Sequence, residues 1–337
     1  MDQTIQTKAF ARAGLVGNPS DGYFGKTISL IIRDFAVTVT LTPADRFAIE
    51  PGPADLCDYA SVDDFLRDAK LMGYYGALRL MKASVAKFHK WAAANGHDLA
   101  GRGAFRLQFG TDIPRLVGLS GSSAIVVATL RALEAFYGVS IPKPQMPTVA
   151  LETETQELHI AAGLQDRVIQ TYEGMVFMDF DRKLVEETCG GRYESLDPAT
   201  KPPIYVAFDA ERAEVSDVAH RNLRAAWEAG EKDVVNAMQA LRELTDRGRA
   251  AILAGNADEL HEVTNANFDI RKKIMPIAPE NQRMVDTARA AGVSAKFAGS
   301  GGAIVGVYRS EKELADAKTA LGEIGCTLLE PTVWEGK

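Results

Sequence analysis

The chain has 337 residues, 46% of them hydrophobic and 25% charged, a globular composition with length enough for two cores. A net charge of −7 gives no general attraction to nucleic acid or to an anionic membrane, so any anionic ligand needs a local site. No apolar run reaches membrane-spanning length, and the polar start MDQTIQTKAF reads as no secretory signal.

In chain order, TISLIIRDFAVTVTL after Lys26 is rich in β-branched and aromatic residues, and its alternation predicts two strands meeting near Arg33-Asp34. Residues 61–95 read as helix with an Asn95-Gly96 stop, and FRLQFGTDIP as a strand closed by Pro114. In RLVGLSGSSAIVVATLRALEAFYG, glycines and serines open a helix of about four turns that Gly138 caps. Helices TVALETETQELHI and GLQDRVIQTYEG follow, then the strand MVFMDF. The composition shift at 193–203, YESLDPATKPP, predicts a linker between domains 1–195 and 203–337. Beyond it come strand IYVAF, long helices over roughly 215–254 and 257–274, a further helix, strands AKFAGS and AIVGVY, a helix and strand CTLLEP. Strands and helices interleave in both halves, which is the α+β class in two lobes. Tyr74, Tyr75, Phe88 and Trp91 have helical spacing and read as core.

Cys57, Cys189 and Cys326 are scattered and odd in number, as suits a reducing, cytoplasmic compartment. His89, His97, His159, His220 and His261 show no metal-ligand spacing. Gly25-Lys26-Thr27 ends like a Walker A loop, but Ser20 stands where that pattern needs its first glycine and a strand follows where it needs a helix. Gly118 to Ala124, GLSGSSA, is either a phosphate cradle at a helix N-terminus or a Ser-capped helix after a flexible turn. The glycine-rich stretch 299–302 is either a hairpin turn or a place of close backbone approach.

Three stretches in this order, RAGLVGNPSD, GLSGSSA and AGSGGA, resemble the GHMP kinases, named for galactokinase, homoserine, mevalonate and phosphomevalonate kinases. The likeness runs from about residue 9 to 308, and GNPSDGYFGKTISL, AGLQDRVIQTYEGMVFMDF and NANFDIRKKI are similar to the glucuronokinase branch. It implies a two-lobed GHMP kinase fold, with a ribosomal S5 domain 2-like N-terminal lobe and a ferredoxin-like C-terminal lobe. It also implies ATP and Mg²⁺ as cofactors, a small-molecule sugar acid phosphorylated at its anomeric hydroxyl, and a monomer or homodimer. Another sugar, a heptose phosphate, or a non-catalytic sensor are the alternatives; the full set Arg12, Asp21, Glu154 and Asp166 favours a kinase.

By the same resemblance, Gly118, Leu119, Ser120, Gly121, Ser122, Ser123 and Ala124 cradle the triphosphate. Arg12 lies beside the reacting hydroxyl and Asp21 meets substrate hydroxyls, whereas Asn18 replaces the family's usual Glu. Asp166, in Gly163-Leu164-Gln165-Asp166, is the catalytic acid-base residue; read on its own it also suits a helix cap. Ser123 (or Ser122) and Glu154 (or Glu157) are the Mg²⁺ ligands, and Gly299, Ser300, Gly301 and Gly302 shape the substrate pocket. A substrate carboxylate needs a cation, for which Arg271, Lys272, Lys273, Lys26 and Arg33 are candidates. The run Arg271-Lys272-Lys273 equally suits a solvated helix end, and Asn265 and Asn267 either meet sugar hydroxyls or cap.

Overall fold

Alternating β-branched residues decide the start of the chain. The computed structural model, which describes residues 3–52, 61–62, 76–209 and 217–335, forms strand β1 over Ile5–Val16 and strand β2 over Lys26–Ala44. β2 is one strand of 19 residues where the sequence pattern predicts two. Its partners explain this: Lys26–Leu30 pair antiparallel with Met175–Asp179, and Val37–Ala44 with Ala104–Thr111. Ladder hydrogen bonds on both sides of Arg33-Asp34 keep the backbone extended through that polar pair.

The chain forms two compact units. The first comprises Met1–Ala11, Asp34–Ile113 and Ser120–Tyr172. It holds β3 (Ala48–Ile49), helix α1 (Ala77–Ala94), β4 (Ala104–Thr111), α2 (Gly121–Tyr137), α3 (Met146–Thr155) and α4 (Leu164–Tyr172). α2 is apolar on nearly every face and ends at Gly138, whose left-handed φ of 64° lets its N–H reach the Glu134 carbonyl. Phe88 of α1 is fully buried and its ring stacks on Tyr137 at 5.8 Å, so Phe88 belongs to the core, with Trp91 half-buried beside it. Tyr74, Tyr75 and Cys57 lie outside the described residues.

The second unit comprises Arg12–Arg33, Pro114–Leu119 and Glu173–Lys337, so residues 193–203 fall inside it. Its elements are β5 (Met175–Asp179), α5 (Arg182–Thr188), β6 (Arg192–Leu196), β7 (Ile204–Phe208), α6 (Asp217–Glu228) and α7 (Lys232–Ala254). There follow α8 (Ala257–Ile274), α9 (Pro279–Ala290), β8 (Lys296–Phe297), β9 (Ala303–Val307), α10 (Glu311–Glu323) and β10 (Thr327–Leu329). The helical stretch expected over 215–254 is two helices, parted where Gly230 takes a left-handed φ of 73°. α8 starts at Asn256, whose side chain accepts the Glu259 N–H.

Strands β10-β7-β9-β8 form an antiparallel sheet in that order. Numbered along the chain the order is fourth, first, third, second, the arrangement of a ferredoxin-like lobe. Its core gathers Tyr205, Phe268, Val285, Phe297, Ile304 and Leu321. Among the described residues no helix is long and apolar enough to cross a membrane.

Packing around β9 is close enough to exclude a methyl group. A Cβ at Gly306 would lie 1.7 Å from the Ser294 carbonyl oxygen and 2.6 Å from the Tyr205 ring. Gly306→Ala is expected to destabilise the protein by about 3 kcal/mol or more, read as a lowered denaturant midpoint, since neither a carbonyl nor a fully buried ring can give way.

Candidate active site

The first unit presents a helix end with unused donors. Ser120, ahead of α2, has φ 63° and ψ 42°, a left-handed conformation that costs a non-glycine residue about 1–3 kcal/mol. Its surroundings hold it there. The Ser120 carbonyl accepts Ala124 N–H at 3.2 Å, Gln170 Nε2 at 3.0 Å and Ser123 Oγ at 3.2 Å. Gln170 Nε2 also donates to the Phe10 carbonyl at 3.1 Å. No side chain caps α2, so the first-turn amides of Gly121, Ser122 and Ser123, with the helix dipole behind them, are available to an anion. A Cβ at Gly121 would touch only Ile113 Cγ2, at 3.7 Å, so there is room for a phosphate at this end.

Asp166 sits in the first turn of α4, and its Oδ2 accepts the Ser120 hydroxyl at 2.6 Å. The next residue, Arg167, is buried and points the other way along the same network. Its Nε and Nη2 both donate to Glu154 Oε2, the former at 2.8 Å, and its Nη1 donates to the Gly163 carbonyl at 2.9 Å. Nη1 also stands 3.6 Å from Asp166 Oδ2. The two expected Mg²⁺ ligands are thus engaged within the protein: Ser123 is fully buried with its hydroxyl on Ser120, and Glu154 faces Arg167. Glu157 pairs with Lys90 at 2.8 Å. Among the described residues no three acidic, histidine or cysteine side chains form a metal-binding group.

In the second unit the two glycine loops, 114–119 and 299–302, meet backbone to backbone. A Cβ at Gly118 would lie 2.7 Å from the Gly301 carbonyl oxygen, and one at Gly299 would lie 2.3 Å from that of Gly118. Arg12 reinforces the approach: Nη1 donates to the carbonyls of Gly118 at 2.6 Å and Ala298 at 3.2 Å. Arg271, 2% exposed, holds the Gly299 and Ser300 carbonyls at 2.8 and 3.0 Å. Lys272 and Lys273 are exposed, as a solvated helix end requires. Lys296 is fully buried and donates to the carbonyls of Gly14 at 2.5 Å and Phe297 at 2.7 Å. Burial, and then the charges of Arg271 and Arg12, push the Lys296 ammonium well below the ordinary lysine range.

Other candidates fall into supporting places. Asn267 is fully buried and clamps the first motif, accepting the Gly17 N–H at 2.6 Å and donating to the Asn18 carbonyl at 3.1 Å. Asn265 accepts the Ala295 N–H at 3.1 Å. Lys26 pairs with Asp246 at 2.8 Å, and Arg33 with Glu173 at 2.7 Å. Asp21 lies on a one-turn 3-10 helix, Ser20–Tyr23, whose Gly22 carbonyl accepts Arg224 at 2.8 Å. Sequence reasoning misses Arg167, Lys296 and Gln170. The signal for Lys296 is a charge inside the apolar strand AKFAG; Arg167 and Gln170 look like ordinary helix-surface residues in the sequence.

Comparison with known proteins gives the family. The family models for the GHMP kinases N terminal domain and the GHMP kinases C terminal match residues 80–174 and 237–325. The chain is 40% identical to Glucuronokinase 1 of Arabidopsis thaliana over 307 residues, covering 89% of this chain and 84% of that one. It is likewise 40% identical to Probable glucuronokinase 2 of the same plant, over 89% of this chain and 83% of that one. The chain therefore belongs to the GHMP kinase family. Among solved structures, Lactococcus lactis galactokinase complexed with galactose has the same fold, with a TM-score of 0.77 at 14% identity over 98% of this chain and 94% of that one.

The buried Lys296 gives stability a definite pH dependence. Its folded pKa lies below the unfolded value near 10.5, so between the two the unfolded chain binds the extra proton and acid favours unfolding. Relative to Lys296→Met, the wild type is expected to gain stability as pH rises from 7 to 10, with a slope of up to about 1.4 kcal/mol per pH unit. Denaturant unfolding of both proteins across that range reads it; a gap that stays constant or narrows the other way contradicts the lysine's perturbation.

Proposed function

We propose that this protein transfers the γ-phosphoryl group of ATP to the anomeric hydroxyl of a sugar acid, D-glucuronate, giving D-glucuronate 1-phosphate. The observation that carries this reading is the Asp166 carboxylate, held by Ser120 at the head of an uncapped helix, in a chain 40% identical to Glucuronokinase 1. A carboxylate beside an anion-binding helix end is what transfer to a hydroxyl requires.

In the proposed reaction the amides of Gly121 to Ser123 hold the triphosphate, with Gly118 and Leu119 preceding them in the chain. Mg²⁺, when bound, would offset phosphate charge as it moves toward ADP, and the half-buried Ser122 hydroxyl is the protein oxygen at this helix end suited to hold it, Ser123 being buried against Ser120. Asp166 takes the proton of the anomeric hydroxyl. The oxygen–phosphorus bond forms as the bond to the β,γ-bridging oxygen breaks, leaving ADP and a sugar 1-phosphate. Arg12 keeps a fixed charge beneath the Gly118 carbonyl and Asp21 meets sugar hydroxyls. Arg12 and Arg271 gather beside residues 298–302, and this supports an anionic acceptor in the reach of that loop. The odd, scattered cysteines support a cytoplasmic enzyme.

ADP release should appear with D-glucuronate and not with galactose, glucose or a heptose phosphate, and phosphorus NMR should place the product's phosphate at the anomeric carbon. Turnover of a neutral sugar alone overturns the acid substrate; ATP binding without turnover of any of them overturns the kinase. Asp166→Asn is expected to retain nucleotide binding and lose about 10²–10⁴-fold in kcat.

A further inference from the structure

Glu154 ends up 1% exposed on α3, and a carboxylate so buried needs a cation. The cation it has is a side chain of the protein itself. Arg167, 4% exposed, sets Nε and Nη2 on the single oxygen Oε2, while Nη1 reaches the Gly163 carbonyl at 2.9 Å. A guanidinium bound on these edges is fixed in plane and direction. A divalent ion on Glu154 would have to share it with this buried positive charge, with no further acidic, histidine or cysteine group to form a three-residue set among the described residues. The surroundings of Glu154 do not fit a metal ligand.

We infer that Glu154 is a positioning residue for Arg167, and that Arg167 carries the fixed positive charge this chain keeps beside its base. The geometry runs in one line through the first unit. Glu154 fixes Arg167, Arg167 Nη1 stands 3.6 Å from Asp166 Oδ2, and the Ser120 hydroxyl donates to that same oxygen at 2.6 Å. The Asp166 carboxylate is thereby oriented through Oδ2 by two neighbours, one of which depends on a residue behind the site. The inference rests on Asp166 being the base proposed above.

The test separates metal binding from positioning. Glu154→Gln, Arg167→Lys, Arg167→Met and the charge-neutral double variant Glu154→Gln/Arg167→Met are compared with the wild type. For each, calorimetry with a non-hydrolysable ATP analogue is run across a Mg²⁺ titration, alongside kcat and KM. Glu154→Gln is expected to leave the Mg²⁺ dependence of analogue binding unchanged while kcat falls about 10–100-fold, as for a misplaced catalytic group. Arg167→Lys should recover part of the kcat lost in Arg167→Met, and the double variant should be no worse than Arg167→Met, because the two residues act through one path.

A tenfold or greater rise in the Mg²⁺ needed by Glu154→Gln, with activity restored by excess Mg²⁺, makes Glu154 a metal ligand and overturns the inference. Wild-type kcat in Glu154→Gln, or no advantage of Arg167→Lys over Arg167→Met, overturns it as well. Should a single variant fail to fold, the double variant, which leaves no unpaired buried charge, reads the same Mg²⁺ question. A wild-type protein that binds MgATP and phosphorylates no sugar acid refutes the proposed function, while the binding titration still decides the place of Glu154.

Discussion

The second unit depends on one contact: the Arg12 guanidinium donating to the carbonyls of Gly118 and Ala298, 106 and 286 residues away along the chain. A buried guanidinium must satisfy its donors, and two carbonyls brought to one nitrogen fix the loops that carry them. Those loops then touch through bare backbone. That is why residues 118 and 299 have no side chain, and why Gly302, at φ 77°, backs onto Val117, where a Cβ would meet Val117 Cα at 2.9 Å. Arg271 and Lys296 repeat the device on the neighbouring carbonyls of Gly299, Ser300, Gly14 and Phe297. Side-chain cations acting on main-chain oxygens hold the glycine loops in shape where secondary structure does not.

The first unit uses a different means. Its polar network is a chain of side chains, Glu154–Arg167–Asp166–Ser120, inside helices packed by apolar faces. A buried ion pair contributes little net stability, because desolvation offsets most of the attraction. What it supplies is direction: a salt bridge with its remaining groups satisfied has far fewer arrangements than a packed leucine would. The left-handed Ser120 belongs to the same logic, since its strain is held by three donors on its carbonyl.

How much of this was legible in the sequence follows from how local each signal is. Helix α2 and its ends are written in consecutive residues, from the serines at its start to Gly138 at its cap, and so can be read directly. The three glycine-bearing motifs are likewise local, though the reason for Gly118 and Gly299 lies in each other's loops. The single long β2 is not legible, because what carries it past Arg33-Asp34 is pairing with residues 175–179 and 104–111. Arg271 reads as one of three equivalent basic residues at a helix end; only the packing of α8 distinguishes it from exposed Lys272 and Lys273. Glu154 is the opposite case. The family resemblance implies a metal ligand there, and what the sequence does not reveal is that Arg167 is turned inward against it.

The fold leaves the substrate open and the site narrows it. A TM-score of 0.77 at 14% identity to a galactokinase shows that one backbone accommodates very different sequences, so architecture alone cannot choose between a neutral sugar and an acid. The parts fixed by backbone are the generic ones: an uncapped helix end suits any triphosphate, and two touching glycine loops suit any acceptor. Choice has to come from side chains, and in the proposed reaction these are Arg12 and Arg271 beside residues 298–302, together with an amide, Asn18, in the motif that carries Asp21. In the proposed reaction a carboxylate at residue 18 would repel an acid substrate through the same Coulomb term by which Arg12 and Arg271 would attract one, whereas an amide is indifferent to its charge. Under the proposed reaction, selectivity for an acid is a property of the summed charge around the acceptor, distributed over residues that each hold the backbone as well.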